Sequence, residues 1–234
     1  MKIHLIRDTY LQEEIYNEIV SFLNDSNGLM KFVGSEETYE EVKPKSHQDY
    51  YDVCNAFRRA NTIKEKEIVI FLSSTSFSNF FSLTDFKKNI YVKTTSWKNF
   101  VDSQIRYPII IEIVTNILHL LMFDDLEDVQ QKTHMNKDRG CLNDYNQKLD
   151  GVKLRLKSPD LCDDCLDLIN PKLISYNVLE QIFEIVDKSS IALKKIKRYF
   201  ASIDLVELEI KKHHTKLYFK DPLNHTLRIP PIPF

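Results

Sequence analysis

The chain has 234 residues, with 32 Lys and Arg against 34 Asp and Glu, a formal charge of -2, and 43% hydrophobic content. That much apolar material excludes a mostly disordered chain, and the near-neutral charge gives no global pull toward nucleic acid or an anionic surface, so any such affinity has to be local. With only 4 glycines, neither a Gly-rich phosphate loop nor a dinucleotide fingerprint can be built.

The N-terminal "KIHLI" reads as a strand. It lacks the sustained apolar run and small-residue cleavage site of a secretory signal, so a cytoplasmic location is expected. In "YLQEEIYNEIVSFLND", Leu11, Ile15, Ile19 and Leu23 recur at helical spacing. "LMKFVG" and "EIVIFLS" are short apolar runs suited to strands, with a helix through "QDYYDVCNAFRRAN" between them and a further strand at "NIYVKT". The order β-α-β-α-β-β predicts a mixed α/β (α+β) sheet covered by helices.

The next element is "YPIIIEIVTNILHLLMF", residues 107 to 123, with Pro108 in the first turn of a predicted helix. Its 17 residues are short for a membrane span, and Glu112, Thr115, Asn116 and His119 lie inside it, so a buried core helix is expected and no membrane. Glu112, Thr115 and His119 fall at i, i+3 and i+7 on one face. A polar stripe in an apolar helix demands partners, solvent or a ligand. It therefore reads as a hydrogen-bonded network or wet groove, a protein-binding surface, or an active cleft with Glu112 as base and His119, with His134, on a metal.

"FDDLEDV" matches no calcium-loop spacing and reads as a solvated acidic segment. "VKLRLK" sets Val152, Leu154 and Leu156 against three basic residues, the alternation of a half-exposed strand. Ser158 and Pro159 then signal the start of a helix through "DLCDDCLDLI", and another helix is expected from Ser175 to about Phe200. The C-terminus reads as a β-hairpin turning at Asp221-Pro222-Leu223-Asn224, with a proline-rich tail. This divides the chain into an α/β domain over 1–170 and a helix-plus-hairpin appendage over 171–234.

Three of the four cysteines, Cys141, Cys162 and Cys165, lie within 25 positions. Such clustering in a reducing compartment points to a metal rather than to disulfides, whereas Cys54 stands alone and reads as a core thiol. Cys162 and Cys165 form a C-x2-C pair with the bite zinc requires, and Gly140 lets the chain turn tightly before Cys141. His134, seven positions before Cys141, is the first candidate for fourth ligand. Three thiolates and an imidazole close the coordination sphere, so the zinc knuckle is expected to hold Zn2+ structurally.

These cysteines and the element order resemble the archaemetzincin-like branch of the metzincin peptidases, in which a cysteine follows the catalytic HExxHxxGxxH motif and a C-x2-C comes about twenty residues after a further cysteine. Over roughly residues 1 to 170 the resemblance implies a metzincin-like core. The catalytic motif is not matched: around Glu112, Ile111 and Thr115 stand at the two histidine positions, and His134 lies 22 positions after Glu112. Asn143 rather than Met stands two residues after Cys141. The resemblance thus implies a member without the catalytic metal, acting as a zinc-stabilised interaction or regulatory module. The alternatives are a divergent zinc-dependent peptidase using Glu112, His119 and His134, or a nucleic-acid-binding protein. From Lys188 onward ten Lys and Arg stand against four Asp and Glu, so Lys194, Lys195, Lys197 and Arg198 are the candidate nucleic-acid contacts. A protein partner is the principal expectation, docking through the "RIPPIPF" tail or another surface.

Overall fold

In the computed structural model of the chain, the described residues are 1–40, 44–75, 80–97, 105–134, 140–144, 152, 154–156, 159–169 and 174–189, with the backbone of 218–220 and 226–228. Five strands, β1 (Lys2–Asp8), β2 (Lys31–Tyr39), β3 (Ile68–Ser73), β4 (Ser82–Thr84) and β5 (Asn89–Lys93), form one sheet in the order β2-β1-β3-β5-β4. β1 pairs parallel with β2 and β3, β3 pairs parallel with β5, and the edge strand β4 runs antiparallel to β5. The mixed α/β class expected from the sequence is the observed one. The antiparallel β4 is additional: three half-buried residues, "SLT", are too few to carry a period.

Strand β3 occupies the centre, and all six of its residues are buried, as a parallel strand covered on both faces requires. Ile6, Val69, Phe71 and Tyr91 cluster with Tyr50, Cys54 and Phe57 of α2 (Gln48–Ala60). On α1 (Glu13–Asn24), Tyr16 Oη donates to Leu5 O at 2.6 Å and accepts from Ser35 N at 2.8 Å, so one phenol fixes the helix to β1 and β2. The carboxylate of Asp8, fully buried at the end of β1, accepts from Ser74 N at 2.5 Å and Ser73 Oγ at 3.1 Å, tying β1 to β3.

Helix α3 (Arg106–Met122) is buried continuously from Tyr107 to Leu120, the core helix its sequence implies. Among the described residues no helix is long and apolar enough to cross a membrane. The acidic segment forms α4 (Leu126–Lys132), capped by Asp125, whose Oδ1 accepts from Asp128 N at 2.8 Å.

Two expectations downstream are corrected. The "VKLRLK" strand is helical over its described residues, with Val152, Arg155 and Leu156 buried at i, i+3 and i+4; an alternating pattern of six residues also satisfies one helical turn. The helix expected from Pro159 is only the five-residue α5 (Asp163–Asp167), because Asp160 is bridged to Cys141 in extended conformation and Cys162 is the N-cap.

Among the described residues the last helix, α6, covers 176–189. The chain separates into a compact unit Met1–Leu193 and a second, Lys194–Phe234, and α6 falls in the first. The reason lies in Gln181 of α6, which accepts from Met30 N at 2.7 Å and donates to Met30 O at 2.9 Å, completing the backbone just before β2. A Cβ on Gly28 would come within 2.7 Å of Gln181 Cβ, so glycine permits this approach. In the second unit, β6 (Tyr218–Lys220) and β7 (Thr226–Arg228) pair antiparallel, giving the expected hairpin. Lys194, Lys195, Lys197, Arg198, the proline-rich tail and the stretch up to Phe200 lie outside the described residues.

Candidate metal centre and adjoining cleft

The cysteine cluster is assembled from two short segments, 140–144 and 159–165. Gly140 adopts φ +83°, a left-handed turn that a Cβ would strain. This aims Cys141 back toward the C-x2-C pair. Leu142 N donates to Asp160 O at 2.7 Å, zipping the segments together, and Cys165 N donates to Cys162 O at 2.9 Å, closing the turn that brings Cys165 round beside Cys162. The imidazole of His134 arrives from the end of α4, with Nε2 at 3.0 Å from Cys162 Sγ and 3.4 Å from Cys165 Sγ.

One ligand atom from each of His134, Cys141, Cys162 and Cys165 lies within 4.8 Å of all the others. A tetrahedron of Zn–S bonds near 2.3 Å has edges of about 3.8 Å, so the spread of this donor set is of the size a zinc ion would take. The electrostatics also suit a cation. The Cys141 thiol is lowered to about 6, chiefly because the Cys165 thiol donates to it, aided by the N–H groups of Cys162 and Asn143, each 3.4 Å from its sulfur; the Cys165 thiol is pushed up in return. Cys54 lies apart in the α2 core, where burial raises its thiol.

Beside this cluster lies a cleft of about 730 Å3 running along β4, with Glu112, Thr115, Asn116 and His119 of α3 in one wall and residues of α2 in another. Glu112 is 1% exposed. Its Oε1 accepts from Arg155 Nη2 in a buried ion pair, and its Oε2 accepts from Ser82 Oγ at 2.5 Å, while Asn116 Nδ2 donates to Ser82 Oγ at 2.6 Å and to Glu112 O at 2.9 Å. Arg155 Nη1 also donates to Asp144 O at 3.0 Å, three residues beyond Cys141. One guanidinium therefore links the cysteine segment to the cleft.

His119 is buried and its pKa is lowered to about 3 by desolvation and by the nearby Arg155 charge, so the ring is neutral at physiological pH. Its Nε2 and the Oγ1 of Thr115 have no hydrogen-bond partner among the described residues. The structure does not gather Glu112, His119 and His134 into one site: Glu112 meets Arg155, and His134 meets the thiols. Among the described residues, the cysteine cluster is the one group of three or more His, Cys, Asp or Glu side chains able to hold an ion.

Sequence reasoning missed Arg155 and Ser82. The available signal for Arg155 was Glu112 itself, since a carboxylate in a wholly buried helix requires a cation from elsewhere in the chain. Nothing local marks Ser82, which reaches Glu112 through the sheet edge.

The sequence matches no protein-family model, and no curated protein sequence matches it. Among solved structures, the zinc-dependent peptidase of Methanocorpusculum labreanum strain Z superposes over 72% of this chain and 100% of its own, at TM-score 0.47 and 15% identity. Archaemetzincin from Archaeoglobus fulgidus, in complex with malonate, covers 72% and 100% at TM-score 0.44 and 12% identity. Likeness at this level assigns no role to any residue of this chain.

Proposed function

We propose that this protein is a non-catalytic binding module stapled by one structural Zn2+ on His134, Cys141, Cys162 and Cys165, and that it serves a protein partner. The observation that carries the reading is the convergence of one imidazole and three thiols within 4.8 Å. When bound to such a set, zinc supplies folding energy, since three thiolates and a neutral imidazole leave no position for an activated water. The state of Glu112 supports the non-catalytic part, because a carboxylate whose two oxygens are engaged by Arg155 and Ser82 is a poor base. Elemental mass spectrometry on protein purified without a metal-affinity column should find one zinc per chain. A folded, zinc-free protein would remove the reading.

One observation favours a second reading, a divergent zinc-dependent peptidase: Glu112 and His119 stand in the wall of a cleft large enough for a side chain. In that case the protein hydrolyses peptides, and Glu112→Gln abolishes the activity while the cysteine-bound zinc stays. Absence of hydrolysis by the unaltered protein, or its survival in the Gln variant, eliminates this route.

A further inference from the structure

The cleft along β4 has a chemistry of its own. Among the described residues, Asp85, Asp124, Asp125 and Asp144 line it together with Glu112, against two cationic side chains, Lys87 and Arg155. Arg155 is paired with Glu112, and the formal charge of the described lining residues is negative even though Asp85, Asp125 and Asp144 also accept backbone hydrogen bonds. An acidic lining by itself marks no ligand, because such faces are ordinarily just solvated.

Two buried groups take the argument further. His119 is 6% exposed and Thr115 is 1% exposed, both line the cleft, and the Nε2 and Oγ1 that they contribute have no partner among the described residues. Buried polar atoms are nearly always paired, so hydrogen-bonding capacity left open at a cleft wall is capacity for something that enters it. The imidazole is held neutral by burial and by Arg155, so one ring nitrogen is an acceptor, and this is the unpartnered Nε2 in the tautomer with its proton on Nδ1. An acceptor and a surplus of carboxylates together ask for a donor that carries positive charge. Tyr51, Phe81 and Phe86 also line the cleft and add apolar surface for the stem of such a group.

We infer that this cleft binds an organic cation, a primary ammonium or guanidinium group on an apolar stem, using the carboxylates at its wall and the acceptor nitrogen of His119. A divalent metal ion is disfavoured as occupant, because among the described residues the carboxylates here do not converge to ligating distance. The cation has two chemical sources, a free polyamine or a Lys or Arg side chain of a protein partner. The inference rests on the binding role proposed above and names what that role would recognise.

The test is isothermal titration calorimetry on the full, zinc-loaded chain with three probes: spermidine, a lysine-centred tripeptide blocked at both ends, and the same tripeptide with norleucine in place of lysine. One-site saturable binding of a cationic probe and none of the norleucine peptide is expected; a preference for spermidine identifies a small amine, and a preference for the lysine peptide identifies a partner's side chain. The double variant Asp124→Asn/Asp125→Asn should weaken binding at least tenfold, and Asn preserves the cap of α4. His119→Phe, which keeps the ring volume and removes the acceptor, should weaken it as well. The inference is overturned if neither cationic probe saturates, if the norleucine peptide binds equally, or if the folded double variant binds unchanged. Zinc content measured on the same samples separates the two proposals. One zinc per chain without cation binding sinks only this inference, whereas cation binding by a folded, zinc-free chain sinks the metal staple.

Discussion

The sheet region, residues 2–122, and the cysteine region, residues 134–169, reach order by different physics. In the sheet region three parallel pairings and a helix buried from Tyr107 to Leu120 bring long runs of Ile, Leu, Val, Phe and Tyr out of water. The described part of the cysteine region buries Leu142, Val152, Leu156, Leu161, Cys141 and Cys165, and its α5 spans five residues without a side-chain cap bond. Helices that short are unstable alone. The difference teaches that the described residues of this segment hold less continuous apolar surface than the sheet region, which is where the metal cross-link proposed above would contribute most, as it does in small domains.

Removing the proposed metal should break the comparison most severely. Cys165→Ser is expected to lose the zinc and to lower Tm by about 10 °C or more, the consequence of losing several kcal/mol of folding energy. Scanning calorimetry with parallel metal analysis reads this, and limited proteolysis should place the first cuts in the cysteine region while the sheet region persists. An unchanged Tm in a metal-free variant would show that apolar burial suffices there too.

Next in size is the link between the regions. Arg155→Met leaves Glu112 buried without its counter-charge and should cost about 3–5 kcal/mol in urea unfolding, whereas adding Glu112→Gln to it should recover part of the loss. Equal losses in the single and double variants would argue that Arg155 acts by packing rather than by charge.

His119 gives a pH-dependent effect. Its folded pKa is depressed to about 3 from the ordinary 6.5, so between those values the unfolded chain binds the proton and the folded chain does not. Stability is then fully present above about pH 6.5 and falls as pH drops toward 3. Subtracting the curve of His119→Phe from that of the unaltered protein between pH 4.5 and 7 should isolate this slope, on the order of a kcal/mol per pH unit at most; parallel curves would remove the assignment.

The smallest effect belongs to Cys54. Its thiol is fully buried and raised by desolvation, so it should resist iodoacetamide in the folded protein, and Cys54→Ala should cost only about 1 kcal/mol. Mass spectrometry of the labelled chain distinguishes it from the cysteines of the metal cluster.

Much of the candidate site was legible because its residue types are rare and clustered: Cys141, Cys162, Cys165 and His134 could be singled out as candidate zinc ligands from spacing and chemistry, and the structure brings their ligand atoms within 4.8 Å of one another. The polar face of α3 was legible for a similar reason, since Glu112, Thr115 and His119 interrupt an apolar helix at helical intervals. Short elements were not. "VKLRLK" satisfies both a strand and a helical turn, and the backbone bridge at Asp160 stops α5 from beginning at Pro159, which no local propensity reveals.

The sequence by itself determined the strand and helix order of the first 122 residues apart from β4, through the period of its apolar positions, and the composition of the candidate metal cluster, through side chains whose chemistry allows few other uses. Only the tertiary structure decided that Arg155 and Ser82 occupy the carboxylate of Glu112, that His134 turns to the thiols instead of to His119, and that α6 belongs with the sheet. Those outcomes depend on contacts between residues 28 to 151 positions apart, and at such separations pairing is settled by which buried charges and orphan backbone groups can be satisfied together, a property of the folded whole and not of any local stretch.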